Sequence, residues 1–198
     1  MSPQPAQTEQ SRKRSIMNWI LTLLGAVAAA LLIRALLFEP IRVDGRSMMN
    51  TLQDGDVVLV TKPAVLKGDL HRGDIVICRF PGRNTQHTLH LAGSLDISLT
   101  RHTLFVKRLI ALPGDVLEIR EGTVYINGEK TDESGIDMGS RSSASFGPLK
   151  LGKDQYFVMG DNRGSSNDSR SMGPIARDMI TGRAERIILP LSRFLQKP

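Results

Sequence analysis

The chain has 198 residues, 40% of them hydrophobic and 23% charged, which is ordinary for a globular protein of one medium domain plus an appendage. Its formal charge of +6 suits either nucleic acid or an anionic membrane surface, but no zinc-finger or RNA-recognition signature supports the first. The single cysteine, Cys78, excludes an intrachain disulfide and reads as a small strand residue in "GDIVICRF".

Residues 1–15 are polar, contain two prolines and show no periodicity, which predicts a disordered tail. Arg12, Lys13 and Arg14 then precede an apolar run from Ile16 to Phe38 whose only charge is Arg34. As a helix that run spans roughly 34 Å, enough for a hydrocarbon core of about 30 Å. Arg34 lies near its far end, where a long stem can reach the interface. A cleaved signal peptide would have an apolar core of about 7 to 15 residues, so an uncleaved anchor is expected at 16–38. The basic cluster predicts a cytoplasmic N-terminus and an exported domain over 39–198.

Past the anchor, Gly-Asp pairs at Gly55, Gly73 and Gly114 each open a short β-rich run, and "DQYFVMGD" is a further strand. "VLEIREGTVYINGE" predicts a hairpin turning at Glu121-Gly122 and a second turn at Asn127-Gly128. No long helical period follows residue 45. The expected fold is mainly β, in coiled antiparallel sheets behind one N-terminal transmembrane helix. Two polar stretches, 81–103 and 131–149, read as surface excursions. The first holds His87, His90 and His102, but no carboxylate or cysteine joins them at ligand spacing, so no metal is expected.

The histidines and the cysteine are poorly disposed for Cys-His or Ser-His chemistry, which leaves a serine with a lysine base. Lys107 in "FVKRLIALPGD" has apolar neighbours, and burial would favour its neutral amine. Taken alone, it could equally pack its stem and send its head to water. Ser47 in "VDGRSMMNTLQDGD" follows Gly45 and precedes Met48, Met49 and Leu52, a position that also suits an ordinary turn residue. "GDNRGSSNDSRSMG", residues 160–173, is either a solvated loop or a hydrogen-bonded scaffold for the lysine.

Together and in this order, the three stretches resemble the bacterial type I signal peptidases. The family's serine box matches Ser47, Met48, Thr51, Leu52, Gly55 and Asp56. Its lysine box matches Lys107 to Asp115. Its later box matches Gly160 to Arg163, Ser166, Asp168 to Arg170 and Gly173. The resemblance covers roughly residues 40–190 and implies a signal-peptidase or repressor-peptidase-like fold. It also implies a membrane-bound serine endopeptidase that removes signal peptides from exported preproteins.

In that reading Ser47 is the nucleophile, Lys107 the general base, and the Ser166 hydroxyl holds the lysine. Asp161, Arg163, Asp168 and Arg170 form a supporting ion network, and Val43, Leu52, Phe105 and Val106 line shallow pockets for small residues before the cut. The implied partners are preprotein signal peptides and membrane lipid, with no nucleic acid and no cofactor, for a monomer in the bacterial inner membrane. Two departures stand out. Asn50 replaces the usual proline and is expected to loosen the turn after the nucleophile. Gly45 replaces a serine found in some members, leaving the Ser47 N–H as the expected oxyanion donor. Rival readings are a self-cleaving repressor, a conjugation-type processing peptidase and an inactive membrane-tethered β-rich binding module. The absence of a DNA-binding motif and the joint presence of Ser47, Lys107 and Ser166 argue against the first and the last.

Overall fold

A computed structural model describes the backbone of residues 5–62, 68–82, 84–91, 95–133, 136 and 144–198, with side chains left out at 5–13, 32–36, 84–91 and 95–102. The chain divides into two compact units at Glu39–Pro40. The first is helix α1, Pro5–Leu37. Its stretch Arg14–Leu31 is long and apolar enough to cross a membrane, and Trp19, Leu23 and Leu24 are exposed to more than half their area. A helix apolar on every side and unburied by protein fits a lipid environment.

The helix begins at Pro5, not at Ile16, so residues 5–15 are helical where a disordered tail was expected. Proline suits a first turn, and Ala6, Gln7, Glu9, Gln10, Arg12 and Lys13 are strong helix formers. Once the apolar segment has nucleated the helix, extending it through such residues costs little. Residues 1–4 lie outside the described residues.

The second unit is β-rich. Among the described residues the strands are β1 (Phe38–Arg42), which starts just before this unit, β2 (Val57–Thr61), β3 (Ile75–Cys78), β4 (Asn84–Leu91), β5 (Leu95–His102), β6 (Phe105–Ala111), β7 (Val116–Arg120), β8 (Thr123–Ile126), β9 (Glu129–Lys130), β10 (Phe146–Lys150), β11 (Gln155–Met159), β12 (Ile175–Ala176) and β13 (Ile180–Leu189). Seven form one sheet in the order β1-β2-β13-β3-β6-β11-β12, four a second, β10-β7-β8-β9, and β4-β5 a third. Among the described residues the one α-helix of this unit is α2, Ser169–Met172.

The predicted turns are where the backbone demands them. Arg120↔Thr123 and Ile126↔Glu129 are the last pairs around two-residue loops, with φ +48° and +83° at Glu121-Gly122 and +55° and +87° at Asn127-Gly128. Positive φ at both positions marks the hairpin turn that matches strand twist, which explains the glycines. The excursion at 81–103 differs from expectation. It is a β4-β5 hairpin in unbroken register from Asn84↔His102 to Leu91↔Leu95. Polar side chains do not prevent a backbone ladder, and Thr85, Thr88, Ile97 and Thr100 favour extended structure. The histidine side chains there are outside the described residues. The excursion at 131–149 ends early, because Phe146–Lys150 pairs with β7.

Strand β6 runs through the middle of the large sheet, between β3 and β11, and carries Lys107 opposite Val76. On one side Val76, Cys78 and Leu109 pack with Tyr156 and Val158. A second cluster packs Val43, Met48 and Leu52 from the Ser47 loop onto Val58, Ile77 and Ile187. Leu52 and Met48 are 0% and 1% exposed, each worth about 2 kcal/mol of burial. The loop is therefore anchored by its apolar residues, leaving the serine between them to face the lysine.

Candidate active site

The Ser47 loop spans residues 43–56 and closes on itself. Val43 N–H donates to Asp56 O at 2.7 Å and Gly55 N–H to Val43 O at 3.0 Å. Gly45 and Gly55 take φ of +96° and +88°, a region glycine enters at no steric cost. Within the loop Met49 N–H goes to Arg46 O, and both Thr51 and Leu52 N–H go to Met48 O. The Ser47 N–H has no backbone acceptor among the described residues, which leaves it free to donate to an incoming oxygen.

Lys107 Nζ lies 2.6 Å from Ser47 Oγ. The lysine is 2% exposed, so the apolar run around it does bury the amine. Burial lowers its pKa below the ordinary value of 10.5. Asp168, Cys78 and Asp161 pull in the opposite direction, and Arg170 adds to the lowering. The Phe105 ring lies 5.9 Å from Nζ. Cys78, 0% exposed and unbonded to any other cysteine, has its thiol pushed up to about 12 by burial, with Lys107 opposing. It stays neutral beside the amine.

The 160–173 segment grips the serine loop from behind. Asn162 N–H donates to Ser47 O at 3.0 Å, and its side-chain amide donates to Arg46 O at 3.2 Å. Gly160 permits this approach, since a Cβ there would stand 2.5 Å from Ser47 O and collide with the Ser166 side chain. Asp168 caps α2, accepts Gly160 N–H at 3.0 Å and holds Arg170 in a two-pronged ion pair at 2.9 Å. Burial alone would raise the Asp168 pKa. The Arg170 pair, together with the bonds from Gly160 N–H and the Ser166 hydroxyl, outweighs it, and the carboxyl sits below its ordinary 3.8.

Of the four expected members of the ion network, Asp168 and Arg170 pair with each other, while Asp161 and Arg163 pair with residues outside the set. Asp161, 0% exposed, pairs with Arg108, which donates to both carboxylate oxygens at 2.8 and 2.7 Å, and with the Thr51 hydroxyl at 2.5 Å. Arg163 pairs with Glu133, and Arg170 reaches the Arg163 carbonyl at 2.8 Å. Ser166 Oγ is buried beside Gly160 and the Asp168 carboxyl, whose pKa it helps to lower, and no bond from it to Lys107 occurs among the described residues.

Asn50 takes φ +82°, a value no proline can adopt. The loop is therefore not a loosened copy of a proline turn but a different backbone path, one that asparagine tolerates better than most residues. Of the expected pocket residues, Val43 and Leu52 are buried in one cluster with Val106 packed against it, while Phe105 packs against the other, edge-on to Phe80 at 5.4 Å. Sequence reasoning assigned no role to Arg108, Thr51 or Arg193. A cavity of about 590 Å³ lined by Asn50, Thr51, Arg108, Arg163 and Arg193 lies beyond the loop and contains neither Ser47 nor Lys107. No cluster of three metal-ligating side chains occurs among the described residues.

Residues 16–189 match the family described as signal peptidase, peptidase S26. The chain belongs to this family. A signal peptidase I from Bacillus licheniformis is 37% identical over 193 residues, which cover 93% of this chain and 94% of that one. Signal peptidase I T from Bacillus subtilis (strain 168) is 37% identical over 199 residues, covering 96% and 94%. A crystal structure of a signal peptidase I from Enterococcus faecalis V583 is 26% identical, with 58% of this chain aligned to 95% of that one at a TM-score of 0.42.

Proposed function

We propose that this signal peptidase family member is a membrane-anchored serine endopeptidase that removes signal peptides from exported preproteins, with Ser47 as nucleophile and Lys107 as general base. The reading is carried by a 2%-exposed lysine whose Nζ stands 2.6 Å from a serine hydroxyl. A neutral Lys107 takes the Ser47 proton as Oγ attacks the scissile carbonyl. The carbonyl oxygen, now anionic, is met by the Ser47 N–H. The tetrahedral adduct collapses, the lysine gives its proton to the leaving amine, and an ester links Ser47 to the signal peptide. Water attacks that ester with Lys107 again the base, and the serine is regenerated.

An extended substrate adding to a protein edge would place alternate side chains against the partly buried Phe105 and Val106, while Val43 and Leu52 stay in the core cluster on which Val106 packs, and small residues fit best there. Ser166 supports the site through its packing against Gly160 rather than through a bond to the amine. The N-terminal side of α1, with Arg12, Lys13 and Arg14, faces the cytoplasm, and the β-rich domain lies outside the inner membrane. The test is to incubate the purified full chain with a preprotein and map the cut by mass spectrometry. Cleavage after a small residue, abolished in Ser47→Ala, is expected. Undiminished cleavage by Ser47→Ala would refute the assignment.

A further inference from the structure

The loop that carries Ser47 is also held by the far end of the chain. After β13 the backbone makes one turn at Leu191–Arg193 and folds back, with Ile187 N–H donating to Gln196 O at 3.0 Å and Leu195 N–H to Ile187 O at 2.8 Å. This return delivers the Arg193 guanidinium to the loop. Its Nη2 donates to Thr51 O at 2.8 Å, between residues 142 apart in sequence, and its Nη1 is ion-paired with the Asp56 carboxylate. Asp56 is 2% exposed, and its carbonyl closes the loop by accepting Val43 N–H. Thr51 is a junction. Its hydroxyl bonds Asp161 and its N–H donates at 3.1 Å to the carbonyl of Met48, the residue after Ser47. One guanidinium thus ties the base of the loop to its turn.

The loop needs such ties. Asn50, a non-glycine residue, takes φ +82°, and a conformation of that kind persists where the surroundings over-determine it. A planar guanidinium holds two acceptors on two residues in one fixed fork, whereas a lysine ammonium is a compact point charge whose donors rotate on a flexible stem. We propose that Arg193 is a positioning residue for the nucleophile: by fixing Thr51 and Asp56 it keeps Ser47 Oγ within reach of Lys107 Nζ, so that the C-terminal segment helps to set turnover. This inference rests on Ser47 being the nucleophile.

The experiment measures kcat and KM of the full chain on a fluorogenic peptide spanning a signal-peptide cleavage site, with circular dichroism giving the folded fraction. Arg193→Ala should lose roughly 10- to 100-fold in activity, mostly in kcat, since displacing reacting groups by about 1 Å costs that much. Arg193→Lys should fall between it and the wild type. Added guanidinium ion, below denaturing concentration, should restore part of the Arg193→Ala turnover. A purely stabilising residue would give the reverse, because guanidinium only weakens the fold. Folded Arg193→Ala with wild-type kcat, or a loss that tracks the unfolded fraction and worsens with guanidinium, would overturn the proposal. If Arg193→Ala does not fold, wild-type kcat in Arg193→Lys would overturn it instead. Cleavage retained by Ser47→Ala would count against the nucleophile assignment alone.

Discussion

Gly160→Ala is the substitution that most directly converts backbone geometry into catalytic loss. Gly160 is not among the positive-φ residues, so an alanine meets no backbone penalty and the whole effect comes from contact. Its Cβ would stand 2.5 Å from Ser47 O, whereas real Cβ contacts essentially never fall below 3.0 Å. Ser47 O must therefore retreat by at least 3.0 − 2.5, or about 0.5 Å, and Ser166 must move as well. Ser166 cannot clear the new methyl by rotating, because its own Cβ would stand 2.6 Å away and stays put when the side chain turns. The carbonyl of Ser47 cannot rotate away without breaking its bond from Asn162 N–H. A shift of this size at the nucleophile should lower kcat by roughly 100-fold, while overpacking costs about 1–3 kcal/mol of stability. Peptide-cleavage kinetics on the folded protein, with thermal melts alongside, separate the two effects. Gly128→Ala is the control: it sits at φ +87° with nothing within 4 Å of its Cβ, so it should cost about 1–2 kcal/mol and leave kcat unchanged. Gly160→Ala with near-normal turnover would show that the Ser47 backbone does not need this close approach.

Asn50→Pro should unfold the loop or lower the melting midpoint sharply, at a cost of about 3 kcal/mol, because φ +82° is closed to proline; Asn50→Gly should be nearly neutral. Arg108→Leu removes the partner of a fully buried Asp161 and should destabilise by about 3 kcal/mol in chemical denaturation. Cys78, neutral up to about pH 12 in the folded chain, should resist thiol reagents at pH 8 until denaturant exposes it. The Asp168–Arg170 pair depresses a carboxyl pKa, so its stabilisation is complete above the ordinary 3.8 and is lost as pH falls through the lower folded value; Arg170→Leu should flatten the acid limb of a stability–pH curve.

What the sequence could and could not reveal divides along physical lines. The turns at Glu121-Gly122 and Asn127-Gly128 were legible because a two-residue hairpin requires positive φ and glycine supplies it. Lys107 was legible because a cation among strand-forming apolar residues must be exposed or used, and here it is 2% exposed. The hairpin of β4 and β5 was hidden, since its register is carried by backbone bonds rather than by apolar alternation. The helical start at Pro5 was hidden by polarity, although the intrinsic preferences of residues 6–13 pointed to it. Pairings such as Asp161 with Arg108 and Arg193 with Asp56 join residues 53 and 137 positions apart, and no local pattern records such distances. Asn50 in place of proline was visible, but its meaning, a left-handed backbone rather than a looser one, is set by the fold around it.

The most direct test of the central claim, that a neutral Lys107 activates Ser47, is the pH dependence of kcat/KM on a peptide substrate. Burial holds the folded pKa of this lysine below 10.5, and only its deprotonated form can accept the Ser47 proton. Activity should therefore be lost below that folded value and rise with pH through a midpoint below 10.5. A midpoint at the ordinary lysine value, or a rate that does not rise with pH, would contradict it.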